Sequence, residues 1–287
     1  MATIESPDVE PSFRTQALQL LALTVTKLAS QRFLSKLFAH SNGPVFFFNL
    51  CIKFGDSVTI AEANALRFVA KHTSIPVPKV YHAFAYHGKT YIIMERIRGE
   101  TVAQKWRSLS ETSKTSIFGQ LRQMIDELRA VPRKTTGVAN LDGGPIHDDR
   151  LPRTSSWGPF DTVHDFLLAL RNNITIEAFE TQDHSTLDPK AISDVQELVR
   201  FHESIVLPPV LTHGDLSSFN VLLRDGNVVG IIDWENAGWL PYYWEYTTAW
   251  HANPQNQFWQ KEVHKFLNVY EEELGMEKVR RQYFGGF

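Results

Sequence analysis

At 287 residues, 43% of them hydrophobic, the chain can build one large or two modest globular domains around a proper core. A net charge of -3 leaves no clustered basic surface of the kind that phosphate-backbone binding demands, so nucleic acid is not the expected partner and small molecules are the default. The single cysteine, Cys51, makes neither an internal disulfide nor a thiolate metal site, which points to a reducing, cytoplasmic compartment and to a buried strand residue.

The chain opens with Glu5, Asp8 and Glu10, where a signal peptide would be basic. The apolar run Ala17 to Ala29 is broken by Gln19, Thr24, Thr26 and Lys27 and is shorter than a membrane span, so an amphipathic helix from Phe13 to Phe33 is expected and no membrane segment. After the turn cluster Ser41-Asn42-Gly43-Pro44, the aromatic and β-branched stretch Val45 to Phe54 reads as a short hairpin. Thr59-Ile60-Ala61-Glu62 has the capping-box pattern and predicts a helix over Ile60 to His72. Pro76 and Pro78 end it, because neither can donate a backbone hydrogen bond. Strands follow at Lys79 to Tyr86 and Thr90 to Ile97, joined by His87-Gly88-Lys89.

From Ser110 onward, Ile117, Leu121, Met124, Ile125 and Leu128 recur on one helical face. Gly137 to Pro159, rich in Gly, Pro, Asp and Ser without a period, reads as an ordered surface excursion. Helices are predicted over Phe166 to Phe179 and Ala191 to Ile205. Short strands follow at Val210 to Leu211, Val221 to Leu223 and Val228 to Ile232, the last two joined by the hairpin signal Asp225-Gly226. Two helices are expected to close the chain. The division is placed near Gly99: residues 1–40 a tail and helix, 41–98 a nucleotide-binding part, 99–287 a catalytic and acceptor-binding part.

The chemistry concentrates between His213 and Glu235. Asp215 and Asn220 lie five apart on a loop, and the hairpin folds Asp233 back beside them. Phosphoryl transfer from ATP needs Mg²⁺, which takes a few carboxylate and amide oxygens from protein and the rest from substrate and water; Asn220 and Asp233 fit as its ligands. A separate carboxylate must orient the acceptor hydroxyl and take its proton, and Asp215 is placed for that. Singly, such residues more often satisfy backbone NH groups in turns. Together, in the order H-x-D-x-x-x-x-N followed by a hairpin and a second Asp, they form the catalytic and metal loops of kinases.

On these residues the chain resembles the aminoglycoside phosphotransferase and choline kinase superfamily, and within it the fungal phosphotransferase enzyme family group. The likeness is carried by Thr212-His-Gly-Asp-Leu, Asn220-Val-Leu, Gly230-Ile-Ile-Asp-Trp-Glu and Ala237-Gly-Trp-Leu-Pro-Tyr-Tyr-Trp-Glu-Tyr246. Ile75-Pro-Val-Pro-Lys-Val80 and Tyr91-Ile-Ile-Met-Glu-Arg-Ile-Arg-Gly99 belong to it as well. The resemblance implies an α+β, two-lobed protein-kinase-like fold: a small antiparallel-sheet lobe with one main helix, a larger mostly helical lobe, and ATP in the cleft between them. It also implies that Lys53 contacts the α and β phosphates and that Glu62 pairs with Lys53. Met94, Glu95 and Ile97 would form the hinge that meets adenine. His213 is expected to brace the loop through its ring nitrogens. Glu235 is left between a second-metal or substrate contact and loop support.

Two departures from the protein-kinase pattern matter. Gly214 stands where protein kinases carry an arginine, and no long segment follows Asp233, so activation by loop phosphorylation is not expected. There is no G-x-G-x-x-G, only Ser41-Asn42-Gly43 before a short hairpin. The expected activity is transfer of the γ-phosphoryl group to a hydroxyl of a small molecule by a monomer or weak dimer. An excess of acidic residues between Asp142 and Glu197 favours a cationic acceptor such as an amino sugar or amino alcohol. The competing readings are a catalytically inactive kinase-like binding protein and a protein Ser/Thr kinase.

Overall fold

The computed structural model describes residues 13–29, 43–133, 136–148, 150–152, 156–181, 188–251 and 257–285. Ser41, Asn42 and the predicted helix end at Phe33 lie outside them. The chain divides into two compact units, residues 1–63 with 78–96 and residues 64–77 with 97–287. Among the described residues no helix is long and apolar enough to cross a membrane.

In the smaller unit, strands β1 (Val45–Phe47), β2 (Leu50–Gly55), β3 (Val80–Tyr86) and β4 (Lys89–Glu95) form one antiparallel sheet in the order β1-β2-β4-β3. Helix α1 (Phe13–Ala29) lays Ala22 and Val25 against Val45, Ile52 and Ile93. Side chains alternate across a strand, so with Ile52 turned to α1, Lys53 points to the opposite face of the sheet. The β3–β4 turn is tighter than expected: His87 and Gly88 take positive φ (48° and 76°), and Lys89 already pairs with Tyr86. Cys51 is the buried strand residue the sequence suggested, and burial, helped by the charge of Glu62, pushes its thiol up to about 12.

Helix α2 runs from Ile60 to His72, as predicted. Its capping box does not form. The Thr59 hydroxyl is buried without a hydrogen-bond partner, and the Glu62 carboxylate turns to Lys53 instead. An ammonium desolvated beside the sheet attracts the carboxylate more strongly than a neutral backbone NH does.

In the larger unit, β5 (Glu100–Thr101) leads into a one-turn helix α3 (Val102–Lys105), which keeps a true capping box between Thr101 and Gln104. Helix α4 (Glu111–Ala130), capped by Ser110, buries Ile117, Phe118, Leu121, Ile125 and Leu128 along one stripe. The segment 137–159 is not a surface excursion. It carries β6 (Ala139–Asn140), β7 (Ile146–His147) and β8 (Ser156–Trp157), and buries Val138, Ile146 and Leu151 in the core. Asn140 ties its first turn by accepting from the Asp142 and Gly144 amides at 2.9 and 2.8 Å, an Asx turn that apolar periodicity does not register.

The single helix expected over Phe166 to Phe179 is two, α5 (Val163–Leu170) and α6 (Ile176–Glu180). Asn172 and Asn173 adopt φ of 60° and 61°, the left-handed geometry that ends a helix, and the Thr175 side chain caps the next one. Helix α7 (Pro189–Ser204) follows. Strand β9 (Val210–Thr212) precedes the catalytic loop, and the hairpin β10 (Val221–Arg224) and β11 (Asn227–Ile231) follows it. Asp225 and Gly226 have the positive φ pair (50° and 78°) of a two-residue turn. Strand β12 (Gly238–Leu240) pairs with both β6 and β9. Among the described residues the end holds α8 (Trp244–His251), the short α9 (Gln257–Gln260) and α10 (Glu271–Phe284), where two helices were expected.

Candidate active site

In the smaller unit, Lys53 Nζ lies 3.0 and 2.9 Å from the two Glu62 oxygens. The lysine is 21% exposed and the glutamate 2%. Glu62 sits in the first turn of α2, where the helix dipole favours a carboxylate. The pair fixes an ammonium at the sheet face opposite α1. At the strand end, Met94 is buried in the ladder, and the Glu95 and Arg96 amides donate to Lys79 O and Asn49 O, both at 2.9 Å. Ile97 lies two residues past the end of β4.

In the larger unit, the loop between β9 and β10 is held from several sides. His213 is fully buried. Its Nδ1 accepts from the Asp215 amide at 3.1 Å, so Nε2 carries the proton and donates to Ile232 O at 3.0 Å. Its ring packs against Trp234. Glu245, at the start of α8 and 1% exposed, accepts from the His213 and Gly214 amides at 2.6 and 3.2 Å. Gly214 has φ of 83°, and a Cβ there would lie 2.6 Å from Asn236 O, so no other residue fits. The arginine of protein kinases is therefore excluded by backbone geometry. Trp259 Nε1 donates to Leu216 O at 3.0 Å, closing the loop from below.

This frame presents Asp215. Asn220 Nδ2 donates to Asp215 O at 2.8 Å and to its Oδ2 at 2.9 Å. Both amide hydrogens of Asn220 are thereby spent on the loop, and its Oδ1 is the atom left to act as a ligand. The Ile232 amide donates to Asn220 O at 2.9 Å, which sets Asp233 directly beside the loop. Asp233 adopts the left-handed conformation (φ 66°, ψ 60°), a geometry that costs energy for a residue with a side chain and recurs at functional sites. Asp233 and Glu235 oxygens come within 4.8 Å of each other. Burial raises the Asp215 pKa above its ordinary value; Arg150 opposes the rise and Asp233 adds to it.

The structure thus brings His213, Asp215, Asn220, Asp233 and Glu235 together in one unit, and Lys53 with Glu62 in the other. Sequence reasoning missed three residues. Glu245 lies inside the Ala237 to Tyr246 block that carried the family likeness, where its position before an aromatic helix was the available signal. Asp148 and Arg150 lie in the segment with no periodicity, and Arg150 Nη1 donates to Asp215 Oδ1 at 3.2 Å. The oxygen-only set at Asn220 and Asp233 fits a hard cation that keeps substrate and water ligands, which is Mg²⁺ chemistry.

The chain has recognisable relatives among known proteins. Residues 57–281 match the model of the phosphotransferase enzyme family. The chain is 22% identical over 219 residues to hygromycin-B 4-O-kinase of Escherichia coli, covering 75% of this chain and 60% of that protein. It is 27% identical over 201 residues to an aminoglycoside 3'-phosphotransferase of Escherichia coli, covering 69% and 65%. The chain therefore spans under two thirds of the length of these curated relatives. Among solved structures, a thermostable mutant of aminoglycoside phosphotransferase APH(4)-Ia in ternary complex with AMP-PNP and hygromycin B superposes with a TM-score of 0.54 at 18% identity, covering 88% of each chain. That likeness shows the α+β kinase-like fold. With its sequence matched from before α2 into α10, the chain belongs to the phosphotransferase enzyme family, the family of the aminoglycoside phosphotransferases.

Proposed function

We propose that the protein is an ATP- and Mg²⁺-dependent small-molecule kinase that moves the γ-phosphoryl group to an acceptor hydroxyl. The observation that carries this reading is Asp215: a carboxylate 31% exposed, on a loop braced by His213, Glu245 and Asn220, whose pKa is raised toward the working range of a base. Asp215 orients the acceptor O–H and takes its proton as the oxygen attacks the γ-phosphorus and the bond to the ADP oxygen breaks. Asn220 Oδ1 and Asp233 hold the metal, with Glu235 close enough to Asp233 to serve the same ion or a second one. Mg²⁺ supplies charge neutralisation on the phosphates. Lys53, steadied by Glu62, takes the α and β phosphates, and adenine meets the chain at Met94, Glu95 and Ile97.

Hygromycin B and aminoglycosides are substrates named for the relatives, and the acidic excess between Asp142 and Glu197 is in keeping with a cationic acceptor. The acceptor class is therefore an amino sugar, amino alcohol or related natural product, used by a monomer or weak dimer in the cytoplasm. The test measures ADP release from Mg²⁺-ATP against hygromycin B, gentamicin, streptomycin and simple amino alcohols. Asp215→Ala is expected to lower turnover by about 10²- to 10⁴-fold while stabilisation by ADP persists. Retained turnover in that variant removes Asp215 from the mechanism. No turnover on any acceptor, with Mg²⁺-independent nucleotide binding, favours a binding protein instead.

A further inference from the structure

Asp215 is held from two sides. Its Oδ2 accepts from Asn220, a neighbour on the same loop, and its Oδ1 accepts from Arg150, which is 65 positions away in the segment between β7 and β8. The guanidinium is itself oriented before it reaches Asp215. Its Nε and Nη2 donate to the two oxygens of Asp148 at 2.7 and 2.8 Å, and the Arg150 amide donates to Asp148 Oδ1 at 3.0 Å. Nη2 also donates to Gly214 O. The Asn236 amide, oriented to satisfy both neighbours, donates to His147 O at 2.6 Å and accepts from Arg150 Nη2 at 3.3 Å.

A bidentate carboxylate fixes the plane of an arginine as well as its position. Asp148 is buried, and it directly follows the strand that pairs Ile146 and His147 with β8. With Nε and Nη2 committed to Asp148, Gly214 and Asn236, Nη1 is the nitrogen turned to the base. A lysine could supply the charge but not the fork, because an ammonium has no plane for Asp148 to set. A general base must hold its lone pair on the line of the acceptor O–H, and misplacement by about 1 Å can cost about 10²-fold in rate.

We infer that Arg150, set by Asp148, is a positioning residue for phosphoryl transfer, fixing the Asp215 carboxylate against rotation while Asn220 fixes its other oxygen. The inference rests on the reading of Asp215 as the base. The segment 137–159 is then part of the catalytic apparatus.

The experiment follows ADP release from Mg²⁺-ATP with hygromycin B as acceptor, or with water as acceptor where hygromycin B is not used. Arg150→Ala is expected to lower kcat by about 10- to 100-fold with KM for ATP changed less than about twofold. Ethylguanidinium at millimolar concentration is expected to restore part of kcat in Arg150→Ala but not in the wild type or Asp215→Ala, and Arg150→Lys to remain as slow as Arg150→Ala. Unchanged kcat in Arg150→Ala overturns the inference. So does a loss that ethylguanidinium does not relieve, which would make Arg150 a structural tie alone. If Arg150→Ala fails to fold, Asp148→Asn, which loosens the fork and keeps the guanidinium, carries the test: lowered kcat at constant KM for ATP supports the inference, and full kcat overturns it. Loss in Arg150→Ala with full activity in Asp215→Ala would instead sink the underlying assignment of the base.

Discussion

Glu277 and Asp215 are both carboxylates gripped by arginine in the larger unit, yet their pKa values move in opposite directions. Glu277, 2% exposed, receives Arg280 Nε and Nη2 at 2.8 and 2.6 Å and Arg281 Nε at 3.0 Å. Burial raises its pKa, but the two guanidiniums more than offset that and hold it at about 2. Asp215 shares its single arginine with Asp148 and stands near Asp233, and there burial wins. Closed partnering makes a carboxylate a structural anchor. Partial partnering leaves one desolvated and basic, with part of its surface facing solvent, which is the state a proton acceptor needs.

The closed network is the place to look for the largest loss of stability. Arg280→Ala would strand a buried Glu277 charge and is expected to cost about 3–5 kcal/mol in urea unfolding. A loss under about 1 kcal/mol would mean that Arg281 alone suffices and would weaken the contrast with Asp215. Acid provides the second and smaller break. Because Glu277 is depressed in the fold, its contribution is present above its ordinary value of 4.5 and is lost as pH falls through about 2. Melting temperature should therefore fall between those limits, and Glu277→Gln should flatten that fall; an equally steep fall in the variant would assign the acid sensitivity to other carboxylates.

The same two regions show what could be read from sequence. Ile60 to His72 was legible because the start pattern at Thr59 to Glu62 and the two prolines after it are local signals, even though the capping box itself does not form. Asp215, Asn220 and Asp233 were legible because the loop and the Asp225-Gly226 turn that gather them span few residues. Arg150 and Glu245 were not, since their contacts with the loop join positions 65 and about 30 residues apart, and no period or motif encodes such a distance. Glu62 carried two expectations, a cap partner for Thr59 from the local pattern and a partner for Lys53 from the family resemblance, and the structure shows the second. Its local pattern with Thr59 was correct as a pattern, but Lys53, folded onto it by the sheet, was the stronger partner. The helix expected across Asn172 and Asn173 failed because apolar spacing continues through a break that two left-handed asparagines make in the backbone.

The smallest expected effect is the most discriminating. In metal-free buffer, Asp215→Asn removes a charge that the fold disfavours and loses about one hydrogen bond, worth roughly 1 kcal/mol, so stability should change by no more than about 1 kcal/mol. The sign of its pH dependence is fixed by the raised pKa of Asp215. A carboxyl with a folded pKa above its unfolded value stabilises below the unfolded pKa, and that contribution disappears as pH rises through the folded one. Wild type therefore loses ground to Asp215→Asn as pH rises above the ordinary carboxyl value of 3.8, a loss read between one buffer at that pH and one well above it, the reverse of the Glu277 case. Paired urea titrations at the two pH values measure it. A variant that falls further behind wild type at the higher pH would show Asp215 to be an anchored carboxylate like Glu277, and the two regions would then differ in exposure but not in electrostatic design.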